Sequence, residues 1–479
     1  MFKKTFSAVL ALALVLIFAV ILTIQTVDSS PAIQLYSWDE SAEENETEAS
    51  GMMVYTEESE IENSEQTIVF AEDILTMEVV QDALVEAMLA AGVTQEYIDN
   101  RERTSGYRNM FLGMLDTDEW GQPILPEYTG GIYVHPDSGE LVITVVQSEF
   151  TRLNNNAGLR NDISVSQFFG LEGVIIQFVE YSYRELEETR DLLVDIMRER
   201  DPDLIHFPFM GTGINTELNR ISVLVDRDLS EKEIAFFKEF FMDSPMIIFE
   251  NLMEIMNSRI TGSLDISELS NSDSEINADM FTVHPGVRIN IPRLGTSANY
   301  SLGYRVRRLS DNRVGFITAS HGRLRGGDSV NSGIENIGTV AQAVFGDFVD
   351  AAFVITNLNI TVSNSIPGLA LSSTEPIGAN RPQMGDQLSI IGANTGRLLF
   401  GRVIHENYTL PNLIDGVQFR GLVLTDITTR PGDSGGLVYN WTENVVAGVL
   451  MGGFMDSNNA PSYFSRADFI SSMLGVRRN

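Results

Sequence analysis

Arg430-Pro431-Gly432-Asp433-Ser434-Gly435-Gly436 is the stretch from which the rest of this 479-residue chain can be read. A serine flanked by glycines can sit on a tight turn with its hydroxyl exposed. The backbone N–H groups of Gly432 and Ser434 can then converge on one point, where a tetrahedral oxyanion would form. Taken alone, the heptapeptide is also compatible with a Gly-rich hairpin turn that carries an incidental serine.

Two further stretches bear on that choice. Gly315-Phe316-Ile317-Thr318-Ala319-Ser320-His321-Gly322 is an apolar strand that ends in small residues and presents one histidine at its exit. A general base for a hydroxyl needs a near-neutral pKa and a held orientation, which suits His321. Phe345-Gly346-Asp347-Phe348-Val349-Asp350-Ala351-Ala352-Phe353-Val354 places Asp350 at the start of an apolar strand. A carboxylate buried there can face an imidazole N–H, fix its tautomer and stabilise the imidazolium. Asp347 competes for the same role. Each signal has a plain structural explanation by itself, and it is their order that joins them. His321, Asp350 and Ser434 follow the chain order of the chymotrypsin triad, not that of subtilisins or α/β-hydrolases.

On these residues, 283–479 resembles a chymotrypsin-fold serine endopeptidase, in particular the bacterial alpha-lytic and streptogrisin branch. Ile337-Gly338-Thr339-Val340 and Ala447-Gly448-Val449-Leu450-Met451-Gly452-Gly453 extend the likeness. Short strands punctuated by Gly, Pro and Asn agree with it. The resemblance implies a trypsin-like, all-β double β-barrel with His321 as general base, Asp350 as its orienting partner and Ser434 as nucleophile. Gly432 and Ser434 would supply the oxyanion hole. Thr428 and Thr429, with Leu450, Gly452 and Gly453 as walls, would form the substrate pocket. With no carboxylate there, a buried Lys or Arg side chain would lack a partner, so the expected P1 residue is small or medium and apolar. Two positions depart from the family pattern. Gly322 stands where a disulfide cysteine usually follows the histidine. Met451 stands where the family has a serine that donates to the catalytic aspartate, and a thioether cannot donate.

Composition divides the chain. The net charge is −34, yet 283–479 holds 16 arginines, no lysine and 14 acidic residues, for a net of +2. The first 282 residues therefore carry −36. That balance argues against nucleic acid as a partner, since phosphate binding needs a basic stripe. The chain has no cysteine, which excludes thiol nucleophiles, disulfides and Cys-based metal sites. With five histidines and no HExxH pair, neither a metal nor an organic cofactor is expected.

Residues 1–27 read as a basic head and an apolar run, either a cleaved export signal or an uncleaved membrane anchor, and place the bulk of the chain outside the cytoplasm. Residues 28–66 read as an acidic spacer, 67–257 as an α/β (α+β) domain, 258–282 as a linker and 283–479 as the barrels. In 67–257 the pattern predicts helices on one face of a mostly antiparallel sheet, with Ser230 and Glu233 forming a capping box. His135 and His206 stand alone there. Size and element order are similar to the pro region of the alpha-lytic branch, which implies an intramolecular inhibitor and folding assistant.

The expectation is a secreted, monomeric, zymogen-like serine endopeptidase acting on polypeptides. The alternative is a catalytically weak surface-binding protein built on the same scaffold. In the first case the pro region should cover the Ser434 cleft, with leader carboxylates paired to barrel arginines.

Overall fold

Turn residues cut the C-terminal half into short strands, and short strands bury their apolar faces by curling together. The computed structural model describes residues 53–56, 77–118, 122–155, 169–199, 207–257, 261–264, 281–293, 296–363, 365–366, 369–370, 382–410, 417–440, 443, 445–454 and 460–478. Residues 1–52, His206 and the central linker, 265–280, lie outside these.

The leader runs β1 (Met53–Thr56), α1 (Met77–Ala90), α2 (Gln95–Gly113), β2 (Thr129–Val134), β3 (Leu141–Val146), α3 (Gln147–Asn155), β4 (Val174–Val179) and α4 (Tyr183–Glu199). It continues with β5 (Phe209–Asn215), β6 (Arg220–Val225), α5 (Glu231–Phe240), β7 (Ile247–Asn251), α6 (Leu252–Asn257) and β8 (Gly262–Leu264). The strands form two three-stranded mixed sheets instead of one mostly antiparallel sheet: β2-β3-β4 and β5-β6-β7. Each is an antiparallel hairpin followed by a helix and a parallel third strand. A parallel neighbour needs a crossover helix, and α3 and α5 supply it. The leader is thus one ββαβ unit built twice. Ser230 caps α5 as expected, with the reciprocal bond from its amide to Glu233 Oε2 at 2.8 Å.

The barrels follow. Strands β10 (Arg288–Arg293), β11 (Thr296–Ser301), β12 (Arg305–Arg308), β13 (Val314–Thr318), β14 (Ser329–Ser332), β15 (Glu335–Gly346) and β16 (Val349–Thr356) belong to the first, beside a separate parallel pair, β9 (Phe281–Val283) and β17 (Ile360–Val362). The pair β18 (Ser365–Ile366) and β19 (Leu369–Ala370) links it to β20 (Gln387–Ile391), β21 (Leu398–Tyr408), β22 (Leu422–Thr425), β23 (Leu437–Asn440), β24 (Val445–Gly453) and β25 (Ser462–Arg466). Helix α7 (Ala467–Leu474) and β26 (Val476–Arg478) end the chain. The second barrel is closed: β20-β23-β24-β25-β22-β21, with β21 returning to β20. Leu388, Ile390, Val403, Val423, Val438 and Phe464 fill it. The first is half closed, in the order β11-β10-β14-β15-β16-β13-β12-β26. Ile289, Phe316, Val330, Val340 and Val354 fill that one. This is the trypsin-like double β-barrel. The chain turns from β11 to β12 at Leu302–Tyr304.

The leader packs on the second barrel, and residues Met52–Asn479 form one compact unit. Two stretches read as solvated from composition contribute strands to it. In the spacer, β1 pairs with β15 (Met53 opposite Phe345). In the linker, β8 pairs with β21 (Leu264 opposite Leu398). Backbone pairing does not depend on side-chain polarity, so composition does not reveal it.

Candidate active site

Strand register brings the first two groups together. Strands β13 and β16 run antiparallel with Thr318 opposite Ala352, so the chain just beyond β13 passes Asp350. The side chain of Asp350 is fully buried, and its Oδ2 lies 2.5 Å from His321 Nδ1. Its Oδ1 accepts the amides of Ser320 and His321, each at 2.7 Å, and the hydroxyl of Ser320 at 3.0 Å. These donors fix the carboxylate in direction. Asp347, the competing candidate, faces Arg420 instead, 3.7 Å away, with half its side chain exposed.

His321 is also held from its far side. The hydroxyl of Tyr300 donates to the His321 carbonyl, and the two rings lie 5.3 Å apart. A Cβ on residue 322 would come within 2.8 Å of that hydroxyl. Gly322 therefore leaves room for a tyrosine clamp at the position where the family has a disulfide.

Ser434 stands on the turn between β22 and β23. Gly432 has φ +96°, a conformation that glycine adopts without strain. Among the described residues, the amides of Gly432 and Ser434 have no acceptor, the state required of donors reserved for an oxyanion. The turn is pinned from beneath by the buried carboxylate of Asp433. Its Oδ1 accepts the amides of Asn394 and Thr395, both at 2.8 Å. Its Oδ2 accepts the amide of Arg430 at 2.8 Å and the Thr395 hydroxyl. The Ser434 hydroxyl donates to the carbonyl of Met451 at 3.1 Å. A hydroxyl has one proton, so in this arrangement the proton is not presented to an imidazole.

The pocket residues divide. The Ser462 hydroxyl donates to the Ile427 carbonyl at 2.8 Å, so Thr429 Oγ1, 2.8 Å from Ser462 Oγ, is the donor between those two. Thr428, Gly452 and Gly453 are partly exposed. Leu450 does not form a wall with its side chain, which is buried in the barrel core beside Phe464. Alternation along β24 requires this, because the residue facing inward cannot also line the outer surface. The reading from sequence did not include Ser462 or Tyr463, whose hydroxyl lies where a side chain on Gly452 would meet it, 3.6 Å away. Their only sequence signal was a polar-aromatic alternation on an unassigned strand.

Met451 is 4% exposed and shares an apolar cluster with Tyr408 and Tyr463 of the barrel and Leu224, Leu252 and Met256 of the leader. The leader thus seats beside the residue whose carbonyl accepts from Ser434. A second contact is ionic, with the opposite polarity to the one expected. Leader Arg108 lies 2.6 Å from both Asp386 and Glu443 of the second barrel, and leader Arg101 lies 2.9 Å from Asp386. All four side chains are at most 3% exposed. Burial alone would raise the Asp386 carboxyl, but the two arginines outweigh it and hold the group below the usual range.

Residues 184–252, from α4 to the start of α6, match the family described as Pro-like C-terminal domain. No curated protein matches the chain. Among solved structures it is similar to Nocardiopsis protease at 23% identity, covering 41% of this chain and 99% of that one, with TM-score 0.35. It is similar to Cellulomonas bogoriensis chymotrypsin at 26% identity, over 42% and 99% of the two chains, TM-score 0.33. An alpha-lytic protease homolog, N4, gives 19% identity over 41% and 98%, TM-score 0.32. The double-barrel assignment rests on the strand pairings themselves. The chain carries a trypsin-like double β-barrel behind a leader of which residues 184–252 match the family described as Pro-like C-terminal domain.

Proposed function

We propose that the chain is an exported serine endopeptidase held latent by its own leader. The observation that carries this reading is the buried Asp350 carboxylate on His321 Nδ1, in the same barrel pair as a Ser434 turn with two unengaged amides. In the active form the Ser434 hydroxyl leaves the Met451 carbonyl and attacks a peptide carbonyl while His321 Nε2 takes its proton. The oxyanion is received by the Gly432 and Ser434 amides. His321 then returns the proton to the departing amine, and water hydrolyses the acyl-enzyme by the same route. Latency is supported by the Ser434–Met451 bond and by the leader residues clustered with Met451.

A fluorophosphonate probe tests this. After removal of the leader, labelling is expected, and Ser434→Ala is expected to abolish it. A processed form that stays unlabelled would favour the surface-binding alternative. On a peptide panel the processed enzyme is expected to prefer Ala, Val or Leu at P1, since the hydroxyls of Thr429 and Ser462 satisfy each other and leave no charge for a cation. A marked preference for Arg would overturn that assignment.

A further inference from the structure

We propose that the Ser320 hydroxyl is a positioning residue for the Asp350–His321 pair, filling the donor role that the thioether of Met451 cannot. The inference rests on the protease reading for its catalytic meaning, while its geometry is independent of it. Beyond the backbone amides, Asp350 accepts from two side chains among the described residues, His321 and Ser320. Ser320 is 1% exposed, so its hydroxyl is held inside the protein beside the carboxylate. Its Oγ lies 3.0 Å from Asp350 Oδ1 and 2.6 Å from the carbonyl of Val344 on β15. Both of those oxygens are acceptors, so the one hydroxyl proton is shared in a three-centre bond, its shorter arm to Val344 and its longer arm to Asp350. Ser320 is thereby the side chain that ties β15, the strand bearing Asp350 and the loop bearing His321 to one another.

The nearest rival does not take this role. The Tyr463 phenol is pushed up to about 12 by burial and by the charge on Asp350, so it stays protonated. It makes no hydrogen bond to Asp350 among the described residues. The β13–β16 register ends with Thr318 opposite Ala352, and two residues beyond that pair lie Ser320 and Asp350. A hydroxyl at this one position therefore reaches the carboxylate without any change of backbone.

A donor on Asp350 spreads its charge and weakens its pull on the imidazole proton. Ser320→Ala should therefore move the His321 titration, followed by NMR in the full chain with Ser434→Ala, to higher pH by roughly half to one unit. In the processed enzyme with Ser434 intact, the acid limb of kcat/KM should move by the same amount, because the base must be neutral. There kcat should fall roughly 10- to 100-fold, the effect of losing one hydrogen bond to a charged group, with KM little changed. Ser320→Thr, which keeps the hydroxyl, should restore both readouts, and Ser320→Val, the same shape without it, should not. If Ser320→Ala does not fold, Ser320→Cys gives a graded version, since a thiol donates weakly. An unshifted His321 titration in either variant overturns the proposal. A shifted titration in a protein whose processed form never labels with the probe sustains Ser320 and rejects the protease reading.

Discussion

Replacing Arg108 by methionine should destabilise the intact chain by about 3–5 kcal/mol, read as a large drop in its urea midpoint. The size follows from what the guanidinium leaves behind. Arg108 is fully buried, with Nη1 at 2.6 and 2.7 Å from the two oxygens of Asp386 and Nη2 at 2.6 Å from Glu443. Asn109 and Ser105 of the same helix also donate to Glu443, at 2.7 and 2.9 Å. Without Arg108, Arg101 alone faces two carboxylates that have no water. Replacing all four charges together, Arg101→Met and Arg108→Met with Asp386→Asn and Glu443→Gln, should recover much of the loss, because an absent charge costs less than a buried unpaired one. A drop below about 1 kcal/mol for the single variant would show that water reaches the cluster. The same burial sets the salt response. Pairs this dry are poorly screened, so raising NaCl from about 0.1 to 1 M should barely change the leader's grip. Pairing between exposed leader carboxylates and barrel arginines, the arrangement expected from composition, would weaken markedly.

Acid should loosen the same contact through a different residue. His405 on β21 is 1% exposed and lies against Gly213 of the leader. Its Nδ1 donates to the Ile214 carbonyl at 3.2 Å, and among the described residues Nε2 has no partner. Burial lowers its pKa below the ordinary value. Glu250 on β7 and the Ile214 carbonyl pull the other way without prevailing. Opposite His405 on β22 stands Leu424, which has no charge. The unfolded chain therefore takes up this proton at a higher pH than the folded one. Stability from the neutral imidazole is complete above about pH 6.5. It is lost on acidification at about 1.4 kcal/mol per pH unit. Asp386, whose carboxyl is held low, loses its contribution only below about pH 4, so the two windows are separate. His405→Gln retains an N–H for Ile214 and should flatten the slope between about pH 6.5 and 5 by one proton. Parallel slopes for the two proteins would dismiss His405 as the origin.

Much of the site was legible because its signals are local. A Gly-rich turn, a strand ending in histidine and a strand opening on aspartate each fit within ten residues, and their order did the rest. What escaped notice depends on partners far along the chain. Ser320 was inside a quoted motif, yet nothing in a linear reading distinguishes a serine facing a carboxylate from one facing solvent. Helix α2 went unread for a clearer reason. Its buried stripe is Tyr97, Arg101, Thr104, Arg108 and Phe111, a regular helical spacing occupied by polar groups. Apolar periodicity is the usual sign of a buried helical face. Here the face docks on two carboxylates, so the pattern that marks burial is written in arginine. The leader's duplication was hidden for a related reason, since its two copies share element order but not side chains.

That duplication has a consequence for release. The first ββαβ unit and its helix α2 hold the barrel at Gly385 and Asp386, through the Tyr97 hydroxyl and the arginines. The second holds β21, through the paired amides and carbonyls of Thr212 and Thr409 and through Arg190 on the Asn407 carbonyl. After a cut in the linker the leader is a multivalent ligand, held also by β1 on β15 and β8 on β21, and a half that lets go is kept at high effective concentration by the half that has not. Departure then requires both halves to be open at once. Cutting the chain and freeing the enzyme become two events separated in time, and the second is set by avidity rather than by the peptide bond.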